Sequence, residues 1–118
     1  MTDASAASAT SPSPFLYLTT TGYLSGRLHE IEIWYVEHEG RYYLVSEHRE
    51  RSHWVQNIRH DPAVSVRVAG ITYAGSGRVV DAEAEPGLAA AVAARMDAKY
   101  EWSDGLIVEL TPRERIDA

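Results

Sequence analysis

The run from residue 71 to residue 80, Ile-Thr-Tyr-Ala-Gly-Ser-Gly-Arg-Val-Val, constrains the fold more than any other stretch. Its β-branched and aromatic residues favour a strand, yet Gly75 and Gly77 sit in the middle of it. Glycines inside a strand weaken it unless they serve a bulge, a sharp bend or the close approach of another segment. A long strand that bends belongs to a curled sheet. Further strand-like runs lie at residues 15–21, 28–36, 41–47, 63–68 and 105–111. Val64, Val66 and Val68 alternate with Ser65 and Arg67, and Ile31, Ile33 and Tyr35 alternate with Glu30, Glu32 and Trp34. That period of two marks strands with one buried face. Six strands joined mostly by short turns are too many for a flat sheet in 118 residues. The expectation is a mainly β (α+β) fold: a six-stranded antiparallel split β-barrel with two short helices.

The first helix should carry Trp54, Val55 and Ile58 on one face and stop at His60-Asp61-Pro62, since proline cannot continue a helix. The second should open at Pro86 and run to about Lys99, with Leu88, Val92 and Met96 at four-residue spacing. The strand at 41–47 should pair antiparallel with 28–36 across a hairpin loop containing Gly40. Residues 1–14, rich in Ala, Ser, Thr and Pro without a basic start or an apolar run, read as a disordered tail and not as a signal peptide. The folded domain is expected over residues 15–112, followed by a polar tail at 113–118.

Composition closes several routes to function. A net charge of −6 argues against a nucleic-acid partner, which would require a basic face. No apolar run approaches the ~18 residues of a transmembrane helix. The chain has no cysteine, which removes disulfides, a thiolate nucleophile and cysteine-ligated zinc, and fits a cytoplasmic location. The five histidines, His29, His38, His48, His53 and His60, match no compact ligand spacing, so no metal is expected.

The stretch that carries chemistry is residues 46–62, where a strand passes through a polar turn into the Trp54 helix. Arg49, Arg51, Ser52 and His53 gather at the first helical turn, with Ser52 as N-cap. Free backbone N–H groups and the positive end of the helix dipole favour an anion there. A strand end, a cationic turn and a helix start together suit a phosphate-bearing ligand. Asn57 lies one turn after His53, within reach of a ligand carbonyl or a neighbouring loop. Tyr100 and Trp102, after the second helix, stand where they would close over a substrate or pack against the barrel.

Four segments then acquire a shared meaning: Leu18 to Gly22 (Leu-Thr-Thr-Thr-Gly), Ser25-Gly26-Arg27, Trp34-Tyr35-Val36, and Trp54 to Pro62 (Trp-Val-Gln-Asn-Ile-Arg-His-Asp-Pro). Together they resemble the deazaflavin-dependent nitroreductase family. That family lies within the flavin-reductase-like split β-barrel superfamily, which includes the pyridoxamine-phosphate oxidases. The resemblance implies a split-barrel homodimer that binds coenzyme F-420, or in relatives FMN. It implies hydride transfer to an electron-poor small-molecule acceptor such as a quinone or nitro compound. Carried onto this chain, it marks Ser25, Arg27, Ser46, Arg49, Arg51, Ser52 and Trp54 as cofactor-binding, with Trp34 and Asn57 added as flanking candidates. Tyr35 and Tyr100 are candidate proton donors for the catalytic step. The chain departs from the family pattern just before Ser25, where Tyr23 and Leu24 replace basic residues, and at Glu32-Ile33, where a Pro-Leu pair is common. FMN as the native cofactor and a non-catalytic coenzyme-binding module are the two alternatives.

Overall fold

The computed structural model describes residues 13–116; the tail expected at residues 1–12 and at 117–118 lies outside them. One antiparallel sheet forms the body. Its strands are β1 (Leu16–Thr21), β2 (Leu28–Ile33), β3 (Val36–His38), β4 (Arg41–Ser46), β5 (Ala63–Val68), β6 (Ile71–Val79) and β7 (Leu106–Arg115). They lie in the order β2-β1-β5-β6-β7-β4-β3. Two helices pack on the sheet, α1 (His53–His60) and α2 (Pro86–Tyr100), and a 3-10 turn at Arg49–Arg51 precedes α1.

The sheet has seven strands where the sequence reads as six. The run at 28–36 breaks at Trp34-Tyr35, and its two pieces lie on opposite edges of the sheet, β2 beside β1 and β3 beside β4. The three backbone steps from Ile33 to Val36 reach at most about 11 Å. The two edges must therefore come close together, and the sheet curls into a half-barrel. The expected hairpin partner of β4 shrinks to the three residues of β3, and β4 pairs along its length with β7 instead.

The glycines of β6 do what their position implied. The register shifts between Ala74 and Gly75, and a Cβ on Gly75 would run into the Thr111 carbonyl oxygen. At Gly77 a Cβ would stand 3.2 Å from Ile58 and from Leu110, so this glycine lets α1 sit close against the sheet. Two tight hairpins follow the right-handed twist of the strands. Glu39-Gly40 and Ala69-Gly70 both place two successive residues at positive φ. β7 does not stop at Pro112 but continues to Arg115. Beyond Leu110 it has β6 as neighbour and no longer β4, so the missing proline N–H leaves no bond unmade on that side.

Alternation along β4 and β7 separates two cores. Leu44, Val108 and Leu110 face the barrel interior with Leu16, Leu18, Tyr35, Val66, Val55 and Ile58. Tyr43, Val45 and Ile107 face outward against Val92 and Met96 of α2. Fully burying each such side chain stabilises the fold by roughly 1.5–3 kcal/mol. α1 therefore plugs the interior while α2 covers the back. On the outer face Glu109, 7% exposed, accepts hydrogen bonds from Tyr43 Oη (2.8 Å) and Arg78 Nε (2.8 Å), and Arg78 also donates to Glu85 near the start of α2.

A candidate coenzyme groove around the start of α1

The groove begins with the turn after β1. Gly22 N–H donates to the Arg27 carbonyl (2.7 Å), Gly26 N–H to the Gly22 carbonyl (2.9 Å), and Arg27 N–H to Ser25 Oγ (3.1 Å). Gly22 is needed here for space: a Cβ would lie 2.7 Å from Ser25 Oγ and 2.8 Å from His29 Nε2. Asn57 fastens this turn to α1. Its side-chain oxygen accepts from Tyr23 N–H (2.9 Å) and its nitrogen donates to Thr20 Oγ1 (2.9 Å). Of the two roles its position allowed, the bond to a neighbouring loop is the one made.

The second wall is the turn from β4 into α1. Ser46 Oγ donates to the Arg49 carbonyl (2.9 Å), and Ser46 Oγ and Ser52 Oγ are 2.6 Å apart. Ser52 occupies the N-cap position, but its side chain makes no cap bond because its hydroxyl is turned to Ser46. The Val55 and Gln56 amides both bond the Ser52 carbonyl (3.1 Å each), which leaves the His53 and Trp54 amides at the helix start to other acceptors. Arg49, at φ 54°, swings away and pairs with Asp104 (3.0 Å).

Between these walls lies a cleft of about 710 Å³, lined among others by Thr20, Gly22, Tyr23, Leu24, Ser25, His29, His48, Arg51, Ser52, His53, Trp54 and Asn57. None of its lining residues is acidic, in a chain with 17 Asp and Glu against 11 Lys and Arg. A second cleft of about 460 Å³ adjoins the first and shares His48, Ser52 and Trp54 with it. It is lined by Trp34, Trp54 and Trp102, with Ser46 and, at its rim, Glu32 and Glu47. Trp34 stacks flat on Tyr100 (ring centroids 4.4 Å, interplanar angle 4°) and meets Trp102 edge-on at 6.2 Å.

Of the residues read from sequence as cofactor-binding, Ser25, Arg51, Ser52, Trp54 and Asn57 line the first lobe. Trp34 and Ser46 line the second, together with Ser52 and Trp54. Arg27 is exposed on the turn and lines neither lobe, and Arg49 faces a separate cleft on the far side of α1. The two tyrosines proposed as proton donors line neither lobe. Tyr35 is fully buried in the interior core. Tyr100 Oη accepts from Tyr35 N–H (3.0 Å) and lies within donating distance of the Pro14 (2.6 Å) and Tyr35 (3.0 Å) carbonyls, and burial raises its pKa. Sequence reasoning placed His53 in the cationic turn but missed that His29 and His48 join it, having weighed those two only as metal ligands. They come from β2, from the turn after β4 and from α1, and the fold alone brings them to one cleft. Among the described residues no helix is long and apolar enough to cross a membrane.

A model of the F-420H(2)-dependent quinone reductase family matches residues 2–105. The chain belongs to that family. Solved structures agree on the architecture. A conserved hypothetical protein from Mycobacterium tuberculosis superposes with a TM-score of 0.74 at 22% identity, over 98% of this chain and 82% of its own. A candidate pyridoxamine 5'-phosphate oxidase from Listeria innocua gives 0.69 at 10% identity, over 90% of both chains. An F-420-H2 dependent reductase gives 0.54 at 23% identity, over 82% of this chain and 93% of its own. At such identities these likenesses establish the split-barrel fold and nothing further. No curated protein matches the chain. The family is one of coenzyme F-420-linked oxidoreductases.

Proposed function

We propose that the protein transfers a hydride from reduced coenzyme F-420 to an electron-poor small molecule such as a quinone or a nitro compound. The observation that carries this reading is the carboxylate-free first lobe of an otherwise acidic chain. Hydroxyls of Ser25 and Ser52, the Arg51 guanidinium and the imidazoles of His29, His48 and His53 form a donor set that fits an anionic, phosphate-bearing coenzyme. These groups take over from the basic residues that Tyr23 and Leu24 replace. Trp54, His48 and Ser52 line both lobes, so a coenzyme anchored in the first and an acceptor entering through the second would meet at this shared edge.

When bound, the deazaflavin supplies the hydride. The chain's own contribution would be position: Arg51 with the Ser25 and Ser52 hydroxyls would hold the charged end, and the edge shared by the two lobes would bring the acceptor to the coenzyme. Completing reduction of a quinone also takes a proton, which comes from solvent, since Tyr35 is buried and the Tyr100 hydroxyl is held by backbone groups.

The test is titration of the protein with oxidised F-420, then with FMN, followed by turnover assays with quinones and nitroaromatics. Tighter binding of F-420 together with turnover supports the reading. Tighter FMN binding would favour a flavin enzyme, and coenzyme binding without turnover on any acceptor would favour a carrier. We further propose a homodimer. Leu24 and Leu28, 84% and 72% exposed, flank the cleft at the start of edge strand β2, and a second copy would cover them. A monomer mass in solution at micromolar concentration would contradict that.

A further inference from the structure

Every tryptophan of the chain, Trp34, Trp54 and Trp102, lines the second lobe, although they come from the β2–β3 joint, from α1 and from the segment after α2. Trp34 is 45% exposed, with Tyr100 stacked flat against it. A half-exposed indole held in plane by a stacked partner offers the rest of its surface to another flat ring. The only charged carboxylates at this lobe's edge, Glu32 and Glu47, are both exposed, and neither is bonded to a cation among the described residues. No Arg or Lys lines the lobe. Aromatic faces and uncompensated carboxylates both attract positive charge and both repel negative charge.

We propose that the second lobe selects planar aromatic acceptors that are neutral or cationic and discriminates against anionic ones. This rests on the reading above, in which that lobe receives the acceptor. The selection also separates the two ligands. The anionic coenzyme is drawn to the lobe that holds Arg51, and the lobe edged by Glu32 and Glu47 turns it away. Without that polarity an anionic acceptor would compete for the coenzyme's donor groups.

The experiment uses one planar quinone nucleus carrying a trimethylammonium group, or a sulfonate at the same position. Trp34 and Trp102 line this lobe and not the first, whereas Trp54 lines both, so quenching of the fluorescence left in a Trp54→Phe variant reports occupancy of the second lobe without coenzyme. The cationic quinone should bind about tenfold more tightly than the sulfonate at low salt, with the ratio shrinking toward about twofold at roughly 0.5 M salt. The exposed double variant Glu32→Gln/Glu47→Gln should remove most of the ratio, weakening the cationic quinone and strengthening the sulfonate. Equal or tighter binding of the sulfonate, or a ratio that survives the double variant, overturns the proposal. Oxidation of reduced F-420 is then followed with the same two acceptors. Charge-ordered binding without any oxidation would sink the reductase reading and leave the selectivity standing. Oxidation at equal efficiency with both acceptors would sink the selectivity and leave the reductase reading standing.

Discussion

The two lobes meet at Trp54 and share His48 and Ser52, yet they are chemically opposite. The first is built from hydroxyls, imidazoles, one guanidinium and a helix start, with no carboxylate. The second is built from indole rings with two carboxylates at the rim and no Arg or Lys. Their origins differ as well. The first lobe is assembled from turns pinned by side-chain hydrogen bonds, those of Asn57 and the Ser46–Ser52 pair. The second is assembled by ring stacking between Trp34, Tyr100 and Trp102. Directional bonds suit a site that must fix a charged group in one place. Flat apolar walls suit one that admits planar molecules of varied outline. One short helix serves both, because its first turn points into one lobe while Trp54 walls the other.

The contrast is open to attack, beginning where the expected effect is largest. Arg51→Glu places a carboxylate in the carboxylate-free lobe. It should weaken F-420 binding by about one hundredfold, in line with roughly 1.5–3 kcal/mol for a charge-assisted hydrogen bond plus added repulsion. Tryptophan quenching by a cationic quinone should change little. If both ligands lose affinity alike, the lobes are a single site.

Asn57→Ala should cost about 1–3 kcal/mol in chemical denaturation, because Tyr23 N–H and Thr20 Oγ1 lose their partner in a buried setting. It should loosen the Gly22–Arg27 turn, and with it coenzyme affinity, before it touches the indole lobe. Unchanged stability would mean that the turn is held by its own backbone bonds.

The Glu109 cluster lies outside both lobes and calibrates them. Burial pushes the Glu109 carboxyl up, but hydrogen bonds from Arg78 and Tyr43, with the Arg78 charge, outweigh it and hold its pKa below the usual value. A depressed folded pKa contributes stability that is present at neutral pH. That stability is lost as pH falls through the ordinary glutamate range, about 4.3, toward the lower folded value. Glu109→Gln should flatten this acid branch of a stability-against-pH curve and leave F-420 affinity at neutral pH unaltered. The same partnership pushes the Tyr43 phenol up to about 12, with burial the largest cause.

The smallest effect is expected at Arg49. It is bonded to an exposed Asp104 and faces away from both lobes, so Arg49→Ala should move coenzyme affinity less than about twofold and stability by under roughly 1 kcal/mol. A large loss of binding there would redraw the first lobe.

Much of the fold is legible from local pattern. The alternation of Val64, Val66 and Val68 gives β5 its bounds, and Gly75 with Gly77 announces the bend in β6. The break at Trp34-Tyr35 is not legible. Ile31, Ile33 and Tyr35 keep the same period through it, and a change of sheet partner leaves no mark on which residues are apolar. Pro112 misled for a related reason: its cost depends on whether β4 still flanks the strand, which is a tertiary fact. At the site, residues 46–62 advertise themselves because cations, a cap position and a helix start are adjacent in sequence. His29 does not, since it is an ordinary strand residue until β2 meets the turn that carries His48 and His53. The burial of Tyr35 is legible, since alternation sets it on the apolar side with Ile31 and Ile33, and that side is the core.

The most direct test is an equilibrium titration of the intact protein with oxidised F-420, followed by coenzyme fluorescence at two ionic strengths. Binding by the carboxylate-free lobe predicts a dissociation constant below roughly ten micromolar at low salt, weakening as salt is raised. Absence of saturation at about one hundred micromolar, or an affinity indifferent to salt and to Arg51→Glu, would contradict it.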